Sequence, residues 1–338
     1  MDAQRLTDGE TPIRVIFALL PDSLVLDWAG PAEALRIANQ LLAADGKPPR
    51  FELVFAGPEA SPASSVGVAL TGLRPLPLPL DGHAPWWVVL VGLPGHAIAV
   101  DNPPAQALLH WLRGLRLERG RLELVTVCAG TLLAAHAGLL AGRRATTHHH
   151  HLDELRAVEP RCDVIANRVF VPDPPLHSSA GVTTGIDLML HRIAETCGES
   201  LAARVAQTMV VALRRGPQDP ELSPFLAHRG HLHPVLHKVQ DAVSEQPQAE
   251  WSVPRMAEVA HTSPRHLTRL FVEHAGVAPL AYLRRLRLAA AQAALRSGAS
   301  VTRAAEISGF GSDTQLRRAW RHFGLPDSPS ATTMQSER

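Results

Sequence analysis

The chain has 338 residues, 46% hydrophobic and 19% charged, a balance that suits two folded globular domains and excludes a disordered or low-complexity chain. The formal net charge of +1 hides a division: residues 1–229 carry −3 and residues 230–323 carry +5, so the positive charge that a polyanionic partner needs lies near the C-terminus. Met1–Glu10 carries Asp2, Asp8 and Glu10 where a secretory leader is basic, and the most apolar stretch, Trp86–Val100, is broken by Gly92, Pro94, Gly95 and His96, so neither export nor a membrane span is expected and a cytoplasmic location is.

In chain order, Ile13–Leu20, Phe51–Ala56, Trp87–Val91 and Leu122–Val127 are short, apolar and rich in β-branched or aromatic residues, as buried parallel strands are. Pro31–Ala44, with proline in its first turn, and Pro103–Glu118, behind the N-cap candidate Asn102, read as the helices between them. Gly181–Cys197 and Ser200–Arg214 read as two more. The alternation predicts an α/β sandwich on a mainly parallel sheet over residues 1–216. Gly216, Pro217, Asp219 and Pro220 mark the start of a linker, 217–230.

Residues 231–327 are helical throughout and repeat themselves. Val253-Pro-Arg-Met-Ala-Glu-Val259 returns forty-eight residues later as Val301-Thr-Arg-Ala-Ala-Glu-Ile307. Each copy then reaches a serine, Ser263 or Ser312, placed to cap the next helix. The apolar positions that follow agree: Leu267, Leu270, Phe271 and His274 in one, Leu316, Ala319, Trp320 and Phe323 in the other, at i, i+3, i+4, i+7. Leu280, Leu283, Leu286, Ala290 and Ala294 form a stripe that makes Pro279–Ser297 one connecting helix. Each copy is thus a helix, a turn and a second helix, and an all-α double helix-turn-helix domain is predicted.

A helix locked by its inner face into a small core offers its outer face to the major groove. That face would carry Arg265, His266, Thr268 and Arg269 in the first copy, and Thr314, Gln315, Arg317, Arg318 and Arg321 in the second. Arginine grips guanine bidentately, glutamine pairs with adenine, and threonine meets a thymine methyl or a phosphate. The motifs Ser263-Pro-Arg-His-Leu-Thr-Arg-Leu-Phe271, Pro279-Leu-Ala-Tyr-Leu283 and Ile307-Ser-Gly-Phe-Gly311 resemble the AraC/XylS-type DNA-binding domain across residues 231 to 325. That resemblance implies two recognition helices in successive major grooves, about 34 Å apart. Leu316 and Trp320 stand where phenylalanines are typical, and Pro329-Ser-Ala-Thr332 replaces the usual closing run, which implies looser binding by the second unit.

Leu122–Val127 runs directly into Cys128-Ala-Gly130 and an apolar helix, Thr131–Leu140: a strand-to-helix elbow with a thiol at the bend. A helix N-terminus favours the thiolate and lowers a cysteine pKa. This elbow, Asp27-Trp-Ala-Gly-Pro-Ala-Glu33 and Gly142-Arg-Arg-Ala-Thr-Thr-His148 together resemble the flavodoxin-like PfpI-type, class I glutamine amidotransferase-like fold. Their order resembles that of GlxA-type regulators, which join this fold to an AraC-type domain. From catalytic members the resemblance implies Cys128 as nucleophile, Glu33 as its hydrogen-bond partner and His148 or His149 as base. Two departures argue for binding over catalysis: Ala129 stands where proteolytic members have histidine, and Gly92-Leu-Pro-Gly95 replaces an oxyanion glycine pair.

The expected function is therefore sequence-specific DNA binding under a non-enzymatic sensor domain, the alternative being a Cys-dependent hydrolase or hydratase with a DNA-binding tail. The candidate effector pocket comprises Trp28, Glu33, Gly92, Cys128, Ala129 and His148. Trp28 and Glu33 together would suit an amine or quaternary ammonium, in line with the small nitrogenous metabolites that GlxA-type regulators are associated with. Expected partners are a double-stranded DNA operator, the small-molecule effector, a second copy of the chain and, for activation, RNA polymerase. No cofactor and no metal are expected. Of the four histidines His148–His151, only two could face one ion from a loop or helix start without help from elsewhere. Cys162 and Cys197 read as packing residues, with no CxxC pair and no disulfide framework.

Overall fold

The computed structural model describes residues 11–77, 80, 84–211, 214–219, 221, 227–296, 298–325 and 328–330. The readings placed on Met1–Glu10, Pro220, Ser297 and Thr332 lie outside them. The described residues form two compact units that divide after Glu221.

The first unit is a flavodoxin-like α/β sandwich. Its strands are β1 (Ile13–Ala18), β2 (Phe51–Gly57), β3 (Arg74–Pro75), β4 (Trp86–Leu90), β5 (Leu122–Val127), β6 (Arg144–Ala145), β7 (Asp163–Val164), β8 (Phe170–Asp173) and β9 (Leu176–Ser179). Seven form one sheet in the order β3-β2-β1-β4-β5-β9-β8, parallel except for β8 at the edge, while β6 and β7 pair separately. All five residues of β4 are buried, the reason this strand reads as an unbroken apolar run. The helices are α1 (Val25–Ala44), α2 (Pro103–Arg113), α3 (Gly130–His136), α4 (Leu152–Val158), α5 (Thr183–Cys197) and α6 (Glu199–Thr208). From β1 the chain crosses through α1 toward β2, and from β4 it crosses through α2 in the opposite direction. Right-handed crossovers then set α1 and α2 on opposite faces. Accordingly α1, α5 and α6 pack on one another, and α3 touches both α2 and α4.

Helix boundaries differ from the sequence expectation, at α1 because burial overrides a local signal and at α2, α3 and α6 because a glycine or a positive φ ends the helix early. Helix α1 starts at Val25, not Pro31, and Pro31 lies inside it on the buried face with Asp27, Gly30, Ala34 and Leu35. That proline forgoes one backbone hydrogen bond, and burial of the face outweighs the loss. A Cβ on Gly30 would sit 2.8 Å from Ile186 Cγ1, so glycine is what lets α1 and α5 approach. Helix α2 stops at Arg113, before Gly114, and α3 stops at His136, before Gly138 at φ 78°; both fall short of the expected Glu118 and Leu140. Helix α6 ends at Thr208, not Arg214, ahead of Val210 at φ 55°. The β8–β9 hairpin was not expected at all, because each strand is four residues long and both carry proline or polar residues.

Inside this unit lies a buried ionic hub. The Glu123 carboxylate takes hydrogen bonds from Arg192 and from the Gly120 amide at 2.8 Å, and lies 3.2 Å from His177 Nε2. Burial alone would raise the Glu123 pKa; the His177 hydrogen bond and the Arg192 charge outweigh it and bring it down to about 2. Burial holds His177 neutral, below its usual pKa, so its Nε2–H donates to the carboxylate. Arg192 also stacks on Trp87 at 4.5 Å.

The second unit holds α7 (Pro234–Glu245), α8 (Val253–Val259), α9 (Pro264–Leu270), α10 (Pro279–Arg296), α11 (Val301–Ser308) and α12 (Asp313–His322). It has two cores. The first gathers Leu236, Val239 and Val243 of α7, Met256 and Ala257 of α8, Leu267 and Leu270 of α9, Phe271, and Tyr282, Leu283 and Leu286 of α10. The second gathers Leu288, Ala291 and Leu295 of α10 with Ala304, Ala305, Phe310, Leu316 and Trp320. At 100° per residue, Tyr282 and Ala291 point about 180° apart, so α10 serves one core on each side instead of burying the single expected stripe. Leu280 is accordingly exposed and Ala290 only half-buried. The π-helical turn Phe271–Ala275 adds a residue after α9, which buries Ala275 and leaves His274 exposed, against the expected spacing.

Candidate functional site

Helices α9 and α12 begin alike. Ser263 Oγ accepts from the His266 amide at 3.2 Å and Ser312 Oγ from the Gln315 amide at 3.3 Å, as the serine spacing predicted. The turn ahead of each repeats as well: His261 and its counterpart Gly309 both take positive φ, 51° and 78°. At Gly309 glycine is required, because a Cβ would lie 2.6 Å from Gln248 Cα. Gly309→Ala is expected to destabilise the second unit by about 1–3 kcal/mol, read from chemical denaturation. A loss below about 0.5 kcal/mol would show that this turn relaxes freely.

On the outer faces, Arg265, His266 and Arg269 of α9 and Thr314, Gln315, Arg318 and Arg321 of α12 are exposed. Arg265, Arg318 and Arg321 have no ion-pair partner among the described residues, and Arg269 meets only His266 Nδ1, at 3.2 Å. Three candidates are less free. Gln315 Oε1 accepts from the Gly311 amide at 3.2 Å. Thr268, half-buried, donates its hydroxyl to Pro264 O at 2.8 Å, and Arg317, also half-buried, donates to Ser330 Oγ at 2.9 Å. Arg265, Thr268 and Arg269 line a shallow hollow along α9. Gln315 and Arg318 line a groove of about 610 Å³ together with Trp251, Arg284 and His322. The repeat pattern missed Trp251 and Arg284, which lie outside both recognition helices, the latter on α10, and it did not single out His322, the last residue of α12.

In the first unit Cys128 sits at the bend between β5 and α3 with φ 58°, 3% exposed. Its amide donates to Ser179 O at 3.0 Å, and the Thr147 hydroxyl donates to its carbonyl at 2.9 Å. Two glycines make room for the side chain: a Cβ on Gly181 would lie 2.7 Å from Sγ, and one on Gly92 3.1 Å from it. Burial first, and then the Asp27 carboxylate, push the thiol pKa far up, against a hydrogen bond from the Ala129 amide. The thiol is therefore protonated at neutral pH. This reverses the expectation of a lowered pKa, since desolvation and a neighbouring acid outweigh the helix end.

The acid facing Cys128 is Asp27, not Glu33. Asp27 Oδ1 accepts from the Val182 amide at 2.8 Å and Oδ2 from the Gly92 amide at 3.1 Å, while burial raises its own pKa. Glu33 lies six residues on, about 240° around α1, where it faces solvent. There Arg36 forks onto it at 2.6 and 2.8 Å and lowers its pKa. The Gly92 amide is thus taken by Asp27 and is not an open oxyanion donor. Trp28 is half-buried, edge-on to Phe55 at 5.9 Å, and does not pair with the Arg36-bound Glu33.

The histidine run departs furthest from expectation. The backbone is extended at His148 and then makes a 3₁₀ turn over His149–His151. One ring nitrogen from each of His148, His149 and His150 comes within 4.8 Å of the others, where two ligands at most were expected. His149 Nδ1 lies 2.7 Å from Glu221 Oε1, and His151 Nδ1 2.7 Å from Glu154 Oε2. Burial, then the neighbouring histidines, bring the His148 pKa down to about 4. Among the described residues no histidine hydrogen-bonds Cys128, so neither His148 nor His149 is placed as its base.

Comparison with known proteins agrees with both units. Residues 85–195 match the DJ-1/PfpI family and residues 256–332 a helix-turn-helix domain. The chain is 30% identical to the HTH-type transcriptional regulator CdhR of Pseudomonas aeruginosa, over 90% of this chain and 87% of that one. It is 28% identical to the HTH-type transcriptional regulator GlxA of Rhizobium meliloti, over 94% of each. A ThiJ/PfpI family protein from Pseudomonas syringae shares the fold, with TM-score 0.51 and 20% identity, over 70% of this chain and 88% of that one. The double helix-turn-helix, the cysteine elbow and these near full-length matches together place the chain in the family of HTH-type transcriptional regulators that join a DJ-1/PfpI domain to an AraC-type DNA-binding domain, the family of GlxA and CdhR.

Proposed function

We propose that the second unit of this regulator reads a double-stranded operator with α9 and α12 in successive major grooves, while the first unit senses a small nitrogenous metabolite. The DNA half rests on one observation: two identically capped helices, braced by a shared α10, carry exposed arginines with no acidic partner among the described residues. Helix α10 has eighteen residues and so spans about 27 Å, close to the roughly 34 Å between successive grooves. Arg265, Arg269, Arg318 and Arg321 make the main contacts, His266, Thr314 and Gln315 add to them, and Arg317 braces α12 through Ser330.

The effector half rests on sheet topology. Connections leave β1 toward β2 and β4 toward β5, so β1 and β4 flank the switch point where open α/β sheets hold ligands. A cleft of about 320 Å³ lies there, lined by Leu20, Pro21, Asp22, Leu93, Pro94 and Asn102 among others. Its one carboxylate, Asp22, suits a cationic nitrogen against apolar walls. Calorimetry of the full chain with amino acids and betaines should give heat that Asp22→Asn abolishes, and heat from neutral or anionic ligands alone would remove the reading. Cys128→Ala should leave effector-dependent transcription intact, because the buried, protonated thiol packs the elbow and does no chemistry.

Leu26, Val66, Val68 and Val182 are exposed and apolar. The Ser65–Val25 and Val182–Asp27 hydrogen bonds draw them to the start of α1, a face suited to homodimer formation. The thiols of Cys128 and Cys162 suit the reducing cytoplasm, where the regulator would meet its operator and RNA polymerase.

A further inference from the structure

We propose that His148, His149 and His150 form a binding site for one first-row divalent transition-metal ion, with Glu221 as the group that orients it. One nitrogen from each ring already lies within 4.8 Å of the other two. Around a tetrahedral zinc ion with metal–nitrogen bonds near 2.05 Å, donor atoms stand about 3.3 Å apart, so small side-chain rotations close the gap. The ring centroids are 4.2, 4.3 and 4.9 Å apart, which puts the three imidazoles in one cluster.

Chain geometry produces the convergence. The step from extended backbone at His148 into a 3₁₀ turn brings neighbouring rings together, as a straight helix or strand would not. The fourth histidine anchors the turn instead: His151 is buried and held by Glu154, whose other oxygen accepts from the Ile98 amide at 3.0 Å.

Glu221 marks this as a built site and not a loose run of histidines. Its side chain is 7% exposed, and one oxygen accepts from both the His149 amide, at 3.2 Å, and His149 Nδ1, at 2.7 Å. A carboxylate on Nδ1–H fixes the ring tautomer, turns the Nε2 lone pair outward and raises its basicity, as carboxylates behind metal-bound histidines do. With three imidazoles, no thiolate and room for a further ligand, the site suits zinc, nickel, cobalt or copper, and not magnesium or calcium.

The test uses the full chain without an affinity tag. Calorimetric titration with zinc chloride should show one ion per chain, cobalt chloride should give the visible absorption of a low-coordinate nitrogen site, and magnesium chloride should give no heat. The triple variant His148→Ala/His149→Ala/His150→Ala should lose the ion. His150→Ala, altering only an exposed ring, should weaken it while the fold persists by circular dichroism. Glu221→Gln, with all three ligands present, should weaken zinc by about 10–100-fold. The proposal falls if neither zinc nor cobalt binds, if the ion persists in the histidine variants, or if Glu221→Gln leaves the affinity unchanged, which would reduce the cluster to an unstructured histidine string.

Discussion

Replacing Arg269 and Arg318 together with alanine is expected to weaken operator binding by about 2–6 kcal/mol, roughly 30-fold to more than 10,000-fold, at fixed salt. Each arginine sits on the exposed face of its own recognition helix, and neither is held by an acid among the described residues. The two helices close separate cores, so the single losses of about 1–3 kcal/mol should add. Arg303→Ala is the control, since Arg303 already pairs with Glu306 at 3.0 Å and lies outside both recognition helices. Fluorescence anisotropy on a promoter fragment found by footprinting would read the effect, together with a shallower salt dependence for each phosphate contact removed. Wild-type affinity in the double variant would take α9 and α12 out of the DNA interface.

Glu123→Gln is expected to destabilise the first unit by about 3–5 kcal/mol, much of what a domain this size has to lose. The substitution preserves shape and removes charge, leaving the Arg192 guanidinium, buried against Trp87, with only the more exposed Glu195 carboxylate at 2.6 Å to answer it. The same hub gives the unit an acid-sensitive window. With its folded pKa near 2, below the ordinary 4.5, Glu123 contributes stability that is fully present above about 4.5 and is lost as pH falls toward 2. Denaturation across that range should show a steeper acid decline for the natural protein than for the variant. A variant that melts within about 1 kcal/mol of the parent, with the same acid slope, would mean that the hub is energetically neutral.

The residue-level differences share a cause. Asp27 and Glu33 both belong to the motif that resembles the PfpI fold, and choosing between them requires knowing which face of α1 is buried. That helix is apolar over most of its surface, so its own pattern does not tell. The Glu123 hub joins residues 54 and 69 positions apart, and no local signal announces it. The convergence of His148–His150 depends on a 3₁₀ turn held by Glu154 and Glu221, one nearby and one 72 residues from His149.

From residue order alone came what strong local signals mark: four of the six parallel strands, the capped and repeated helical pairs, the basic faces of α9 and α12, and hence a DNA-binding regulator with a sensor domain. The fold itself decided which acid meets Cys128, that its thiol stays protonated, that α10 faces two cores, and that three histidine rings meet. Helix caps and apolar periodicity act within a few residues and can be read along the chain, whereas burial and charge pairing are set by neighbours distant in sequence and exist only once the sheet has closed around them.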